Sequence, residues 1–146
     1  MTGRVHPDDR GLAAVARVRS IRESDSRIGL QLVLAEEAAV IARLDELTRT
    51  IATATVPVET TPAALLAQHT ALANVGVLVQ EARAARVTAE VISAEARSRW
   101  GADRARLAAV EHLLENRATG RRTEAAKREA RDADDIAAQR WARSHR

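Results

Sequence analysis

The side chains that could carry acid, base or metal chemistry are few and scattered in this 146-residue chain. The four histidines are His6, His69, His112 and His145. None belongs to an H-E-x-x-H pair, and the chain has no Cys to supply thiolate ligands. The neighbouring carboxylates Glu36 with Glu37 and Asp134 with Asp135 would point about 100° apart on a helix, so neither pair can flank one substrate. The sequence therefore predicts no enzyme activity, no catalytic residue, no metal and no cofactor.

Positive charge is concentrated in the C-terminal third of the chain. Residues 100–146 hold 11 Lys and Arg against 8 Asp and Glu, whereas the two signs balance over residues 1–99. The basic side chains cluster at Arg117, Arg121, Arg122, Lys127, Arg128 and Arg131. Such a cluster is either a solvated helix face or a contact surface for phosphate or an acidic partner. No aromatic residue is interleaved with it for base stacking, which argues against nucleic-acid binding.

The elements that position these residues are set by one interruption, TVPVETTP at residues 55–62. Proline lacks the backbone N–H, and the residue before it avoids the helical region, so the first helix is predicted to end near Ala54. Thr61 is a suitable N-cap, and Pro62 suits the first helical position. We predict one domain over residues 1–146, with helices at about 8–54 and 62–143 and a hinge at 55–61. Asp8 or Asp9 is the expected N-cap of the first helix.

Seven-residue spacing predicts coiled-coil packing of the two helices. In the second helix it runs without a break through Leu65, Leu72, Val79, Arg86, Ser93, Trp100, Leu107 and Leu114. A companion seam follows Val75, Ala82, Ala89, Ala96 and Val110. In the first helix the aliphatic stripe is Leu12, Val15, Val18, Ile21, Ile28 and Leu32, and after a phase change Leu34, Ile41, Leu44, Leu47 and Ile51. Trp100 is predicted to pack in the core.

Composition agrees with this architecture. Aromatic residues make up 1% of the chain, and Ala, Arg, Leu, Val and Glu dominate, as is typical of long helices. The second helix is predicted to outrun the first, so its C-terminal part should overhang, with Trp141 as a candidate partner anchor. No unbroken apolar run approaches the roughly 18 residues of a membrane span, and no secretory signal is seen. The predicted fold is all-α, an antiparallel two-helix coiled-coil hairpin with a C-terminal helical overhang, in a soluble cytoplasmic protein.

A family resemblance appears in the C-terminal half. The segments LAAVEHLLENR and DADDIAAQR, with the basic run between them, resemble the corresponding part of the FliJ flagellar export proteins. The stretch from Val15 to Leu47 is similar to the family's opening, where spaced aliphatics precede an Ala-rich helix. The resemblance covers nearly the whole chain.

The resemblance implies a non-enzymatic stalk between the FliI-like export ATPase and the FlhA-like export gate protein, which also serves export chaperones. It implies a cytoplasmic location at the face of the cell membrane, reached through the export apparatus. The implied ATPase-ring end comprises Val15, Val18, Arg22, Arg121, Arg122, Arg128, Asp135, Ile136, Arg140 and Trp141. The implied gate patch comprises Leu44, Leu47, Thr50, Val75, Leu78 and Ala82, although the aromatic residues that family members often place there are absent from this chain.

Two alternatives explain the same pattern without an ATPase. A structural or scaffold coiled coil, a homodimer through its alanine seam, accounts for the periodicity. A nucleic-acid-binding helical protein accounts for the basic end and for the sequence pI of about 10.7. Self-association that resists salt favours the scaffold, and steeply salt-dependent DNA binding favours the nucleic-acid protein.

Overall fold

The computed structural model describes residues 6–144 and contains two long helices. A short 3-10 turn, Pro7–Asp9, leads into helix α1, Arg10–Ala52, and helix α2 spans Pro62–Ser144. The bounds predicted from sequence are about 8–54 and 62–143. No strand occurs among the described residues. The all-α helical hairpin is thus confirmed.

The hinge forms for the reasons that its residue types suggest. The Thr61 hydroxyl oxygen accepts a hydrogen bond from the Ala64 backbone N–H at 3.2 Å, which caps the first turn of α2. Pro62 is the first residue of that helix. Across the hinge, the Gln68 side-chain amide donates to the Thr55 carbonyl at 2.7 Å. The threonine cap and the proline together therefore restart the helix, as predicted.

The chain divides into two compact units, which we describe separately. The hinge unit is Arg22–Asp103, and the terminal unit combines Met1–Ile21 with Arg104–Arg146. The prediction of a single domain remains a prediction.

Contacts in the hinge unit run antiparallel. Trp100 reaches Glu23, Arg97 reaches Glu37, and Gln68 reaches Thr55. Residue numbers thus rise along α1 as they fall along α2. The α2 side of this packing follows the predicted seam except at Arg86, which is exposed. Leu65, Leu72 and Trp100 are partly buried, and Val79 and Ser93 are buried.

The α1 side of the packing differs from the prediction. Val15, Val18, Ile21, Ile28, Leu32, Ile41 and Ile51 are all exposed. In the hinge unit the residues of α1 that are buried or partly buried at steps of three and four are Glu23, Ser26, Leu30, Val33, Glu37, Val40, Leu44 and Leu47. The predicted stripe is therefore wrong over most of α1. Polar side chains that have partners on α2 occupy the buried seam, and many aliphatic residues face outward.

The terminal unit pairs the start of α1 with the middle of α2. Asp9 is buried and contacts Arg117 and Arg121, while Leu107, Val110 and Leu114 are partly buried. His6 caps the 3-10 turn, since its imidazole accepts from the Asp8 N–H at 3.4 Å. The Asp9 carboxylate contacts α2, and an aspartate cap of the first α-helix remains a prediction.

One 18-residue window of α2 has a mean hydropathy of 1.3, so by length and composition alone this helix could cross a membrane. The helix qualifies as a candidate span because this part of it carries no charge. Residues 60–80 contain no Asp, Glu, Lys or Arg. The expectation that the chain has no candidate span rested on unbroken apolar runs only. Only 6% of the window is buried, and a single helix of this kind is weak evidence for a membrane span.

Candidate partner-binding sites

The buried seam of the terminal unit ends in an ionic cluster. Arg117 and Arg121 lie at the next seam positions of α2 after Leu114, three and seven residues further on. Their guanidinium groups donate to the two carboxylate oxygens of Asp9 at 3.3 and 2.5 Å. The side chain of Asp9 is 4% exposed, whereas those of the arginines are 49% and 36% exposed. The buried carboxylate of Asp9 therefore fixes the start of α1 against two half-exposed arginine side chains of α2.

The charge on Asp9 is stabilised by these partners. The hydrogen bond from Arg121 is the main cause that lowers the pKa of Asp9, with Arg117 adding to it and burial opposing it. Asp9 is thus ionised at neutral pH and holds both arginines beside it.

Beyond this cluster the seam carries charge instead of aliphatic side chains. At steps of three and four residues from Arg117 the same face of α2 presents Arg117, Arg121, Glu124, Arg128, Arg131 and Asp135. Every described residue from 122 to 144 is exposed. We call residues 122–144 the overhang. Arg122, Arg128 and Arg131 make no ion pair with any residue that the structure describes. This face of the overhang is suited to charged or solvated surroundings rather than to an apolar helix.

The opposite face of the overhang is small and apolar between Arg122 and Arg140, which continue the same stripe at its two ends. Ala126, Ala130, Ala133 and Ala137 recur at steps of four, three and four residues. Ala126 is two residues from both Glu124 and Arg128, about 200° around the helix, so the alanines lie opposite the charged face. Ile136 and Trp141 extend this side and are 50% and 65% exposed. The overhang therefore has two unlike faces.

An open cleft of about 540 Å³ lies in the terminal unit where the overhang begins. It is lined by His6, Arg117, Gly120, Arg121, Glu124, Ala125 and Arg128. Three arginines face one carboxylate in this lining, and Glu124 is itself paired with Lys127 at 2.9 Å. The cleft is basic and can accommodate an acidic group of a partner.

Polar contacts also cross the seam of the hinge unit. The Trp100 indole N–H donates to a Glu23 carboxylate oxygen at 2.9 Å, and Glu23 is buried. Arg97 donates to Glu37 at 3.3 Å and to the Ser93 hydroxyl at 3.0 Å. Ser93 is wholly buried. These contacts fix the register of the two helices, because sliding one helix would leave buried polar groups without partners.

A comparison with models of known protein families shows to which family this chain belongs. The model of the Flagellar FliJ protein family matches residues 9–146, nearly the whole chain. The chain is a member of the FliJ family. Searches among curated proteins and among solved structures give no significant match. Membership of the FliJ family makes the chain a component of the flagellar export apparatus, which confirms the resemblance seen in the sequence.

The structure separates the residues of the ring end that the FliJ resemblance implied. Val15 and Val18 are exposed on α1, and Arg22 belongs to the hinge unit. Arg121 contacts Asp9, and Arg122, Arg128, Asp135, Ile136, Arg140 and Trp141 are exposed on the overhang. In this antiparallel unit Val18 and Trp141 lie on opposite sides of the Asp9 level, about 40 Å apart by helical rise. Within the terminal unit, Val15 and Val18 are therefore separate from the exposed residues of the overhang.

The gate patch that the FliJ resemblance implied coincides largely with the packing seam of the hinge unit. Leu47 is buried, and Leu44, Val75 and Ala82 are partly buried. Thr50 and Leu78 are exposed. A partner can therefore reach Thr50 and Leu78 directly, and gate binding by the patch remains a prediction.

Sequence reasoning did not predict that the carboxylates of Asp9, Glu23 and Glu37 contact side chains of α2. A signal was present, because Asp9, Ala16, Glu23, Leu30, Glu37 and Leu44 are spaced by seven without a break. The stripe predicted for α1 contains aliphatic residues only and therefore leaves these carboxylates out. No group of three or more potential metal ligands occurs among residues 6–144.

Proposed function

We propose that this chain couples the FliI-like ATPase ring of the flagellar export apparatus to the FlhA-like export gate, without chemistry of its own. The observation that carries this proposal is the overhang, a helical segment whose described residues are all exposed and whose two faces differ. A polar, unpaired helix of this length gains little stability from its own chain and is suited to a partner.

The faces of the overhang suggest how such a partner is engaged. Small alanines let another backbone approach closely, and Trp141 supplies a large anchor side chain. Arg128 and Arg131 on the other face attract acidic side chains. A ring that surrounds a helix contacts both faces at once. We infer that the overhang enters the ATPase ring and that the basic face meets acidic residues there.

The hinge end of the hinge unit supports contact with the gate. Thr50 and Leu78 are exposed on this side, and so are the aliphatic residues Ile51, Val56, Val58, Leu66 and Val77. Residues 60–80 carry no charged side chain. An uncharged, exposed apolar surface is typical of a protein-binding site. We infer that this end binds the gate protein, that export chaperones bind the same protein transiently, and that partners hold it at the cytoplasmic face of the membrane.

The test is the ATP hydrolysis rate of the cognate export ATPase with and without this protein, followed by sedimentation of the mixture. We expect stimulation and co-sedimentation with the native protein. The triple replacement Arg122→Glu, Arg128→Glu and Arg131→Glu should abolish the stimulation, because it reverses the charge of exposed groups that have no partner in the described chain. Arg121 is left unchanged, because loss of its contact with Asp9 would confuse loss of binding with loss of folding.

The matched control is Arg83→Glu, which reverses an exposed, unpaired charge in the hinge unit and should leave stimulation intact. Leu78→Glu should weaken co-sedimentation with the gate protein while sparing the ATPase. Full stimulation by the triple variant would refute the role of the exposed arginines of the overhang. No complex with either partner would refute the coupling function.

A further inference from the structure

The hinge unit carries a second heptad seam on the outer face of α1, away from α2. We call it the outer seam, and its residues are Asp25, Ile28, Leu32, Ala35, Ala39, Ala42, Glu46 and Arg49. Every one of them is exposed, and Ile28 and Leu32 are 52% and 62% exposed. Leu30, which packs inward, is two residues from both, about 200° around the helix. The outer seam therefore lies opposite the seam that packs on α2.

The spacing of the outer seam indicates the shape of its occupant. Steps of three and four residues over more than three heptads keep one narrow stripe in line along a helix. Such a stripe is matched along its length by another helix running beside it. Three of the positions are alanine, which allows that helix to approach closely.

We propose that the occupant is a second copy of this chain, with the two α1 helices packed antiparallel along their outer seams. The ends of the seam carry opposite charges, Asp25 at one and Arg49 at the other. Neither makes an ion pair with any described residue of its own chain. A two-fold axis that sets Asp25 beside Arg49 of the second copy forms two such pairs at once, because isologous contacts always occur twice.

The same register matches large residues with small ones. With Asp25 beside Arg49 of the second copy, Leu32 lies opposite Ala42, and Ala35 lies opposite Ala39 next to the axis. The backbones can then approach closely at the centre, where no large side chain intervenes. Glu46 lies opposite Ile28, and its carboxylate is already bound by Arg43 at 2.8 Å within its own chain. Charge and side-chain size thus both favour the register of the two α1 helices that sets Asp25 beside Arg49 of the second copy.

The inferred dimer is weak and depends on concentration, because the contact is one helix wide and three of its five apolar positions are alanine. It does not depend on the proposed coupling function. The outer seam lies in the hinge unit, whereas the overhang belongs to the terminal unit. Sedimentation of the protein alone therefore tests the dimer whether or not an ATPase is stimulated.

The experiment is sedimentation velocity of the full chain over a range of concentrations, with two single charge reversals. Asp25→Arg and Arg49→Asp should each weaken self-association by about tenfold, because both opposite-charge pairs become like-charge pairs. An equimolar mixture of the two variants should associate at least as strongly as the native protein, since each variant restores the pairing of the other. The double variant should also recover association.

Leu32→Glu should abolish the dimer, while the matched change Leu66→Glu, at a residue of α2 that is 70% exposed, should not. Circular dichroism of each variant confirms that the helices are retained. A monomer at every concentration would overturn the proposal and leave the outer seam to another protein. A dimer lost with Leu66→Glu but kept with Leu32→Glu would overturn it too, as would charge variants that do not complement each other.

Discussion

Leu30 and Leu32 are the same residue type, two positions apart in α1, yet the structure predicts opposite responses when each is shortened to alanine. Leu30 is 9% exposed and lies on the buried seam between Glu23 and Glu37. Leu32 is 62% exposed on the outer face. The stripe inferred from sequence included Leu32 and omitted Leu30, so this pair of variants distinguishes the two assignments.

The expected magnitudes follow from burial. Replacing a buried leucine by alanine costs about 2–5 kcal/mol, and a two-helix layer places Leu30 near the lower end, about 2–3 kcal/mol. Leu32 has about a third of its side chain covered, so it loses roughly 0.5–1 kcal/mol of transfer free energy. Alanine recovers a few tenths of a kcal/mol through its higher helix propensity. Leu30→Ala should therefore be the less stable variant by about 1.5 kcal/mol or more.

The assays are urea unfolding and thermal unfolding, each followed by circular dichroism, at a protein concentration where sedimentation shows a monomer, so that the outer seam contributes nothing. At about 2–4 °C per kcal/mol, the melting temperature should fall by about 4–12 °C for Leu30→Ala and by about 3 °C or less for Leu32→Ala. Equal losses, or a larger loss for Leu32→Ala, would show that the buried seam of α1 has been assigned to the wrong face.

Two further predictions concern the polar contacts of the two units. Because Arg121 and Arg117 lower the pKa of Asp9 below its ordinary value of 3.8, the stability that Asp9 contributes is present above that value and is lost as pH falls through its pKa in the folded protein. In melts from about pH 7 to about pH 2, the difference between the native protein and Asp9→Asn should thus shrink in acid, and a gap that widens would contradict the ionised contact. Trp100→Phe keeps an aromatic ring but removes the N–H that serves buried Glu23, so urea unfolding should show a loss of about 1–3 kcal/mol. Adding Glu23→Leu should recover part of it, and additive losses would mean that the two side chains do not interact.

The parts of the fold that follow from local chemistry could be predicted from sequence. Thr61 and Pro62 determine where α2 begins, since capping and the missing N–H act within one turn. The seam of α2 from Leu65 to Leu114 could be predicted because most residues of its seven-residue repeat are aliphatic. The family was predictable as well, because segments such as LAAVEHLLENR and DADDIAAQR lie within the stretch that the FliJ model matches.

The inner face of α1 could be recognised only in the tertiary structure. By hydropathy alone Ile28 and Leu32 belong inside and Glu23 outside, yet Glu23 is buried because Trp100, 77 residues away, donates to it. Asp9 is likewise buried because Arg117 and Arg121 lie beside it, 108 and 112 residues away. The cost of burying a carboxylate depends on its partners, and sequence spacing does not reveal partners on another helix. Local propensity and spacing therefore determined the helices, the hinge and the α2 seam, and the pairing of distant charges decided which face of α1 is buried and which is left for another molecule.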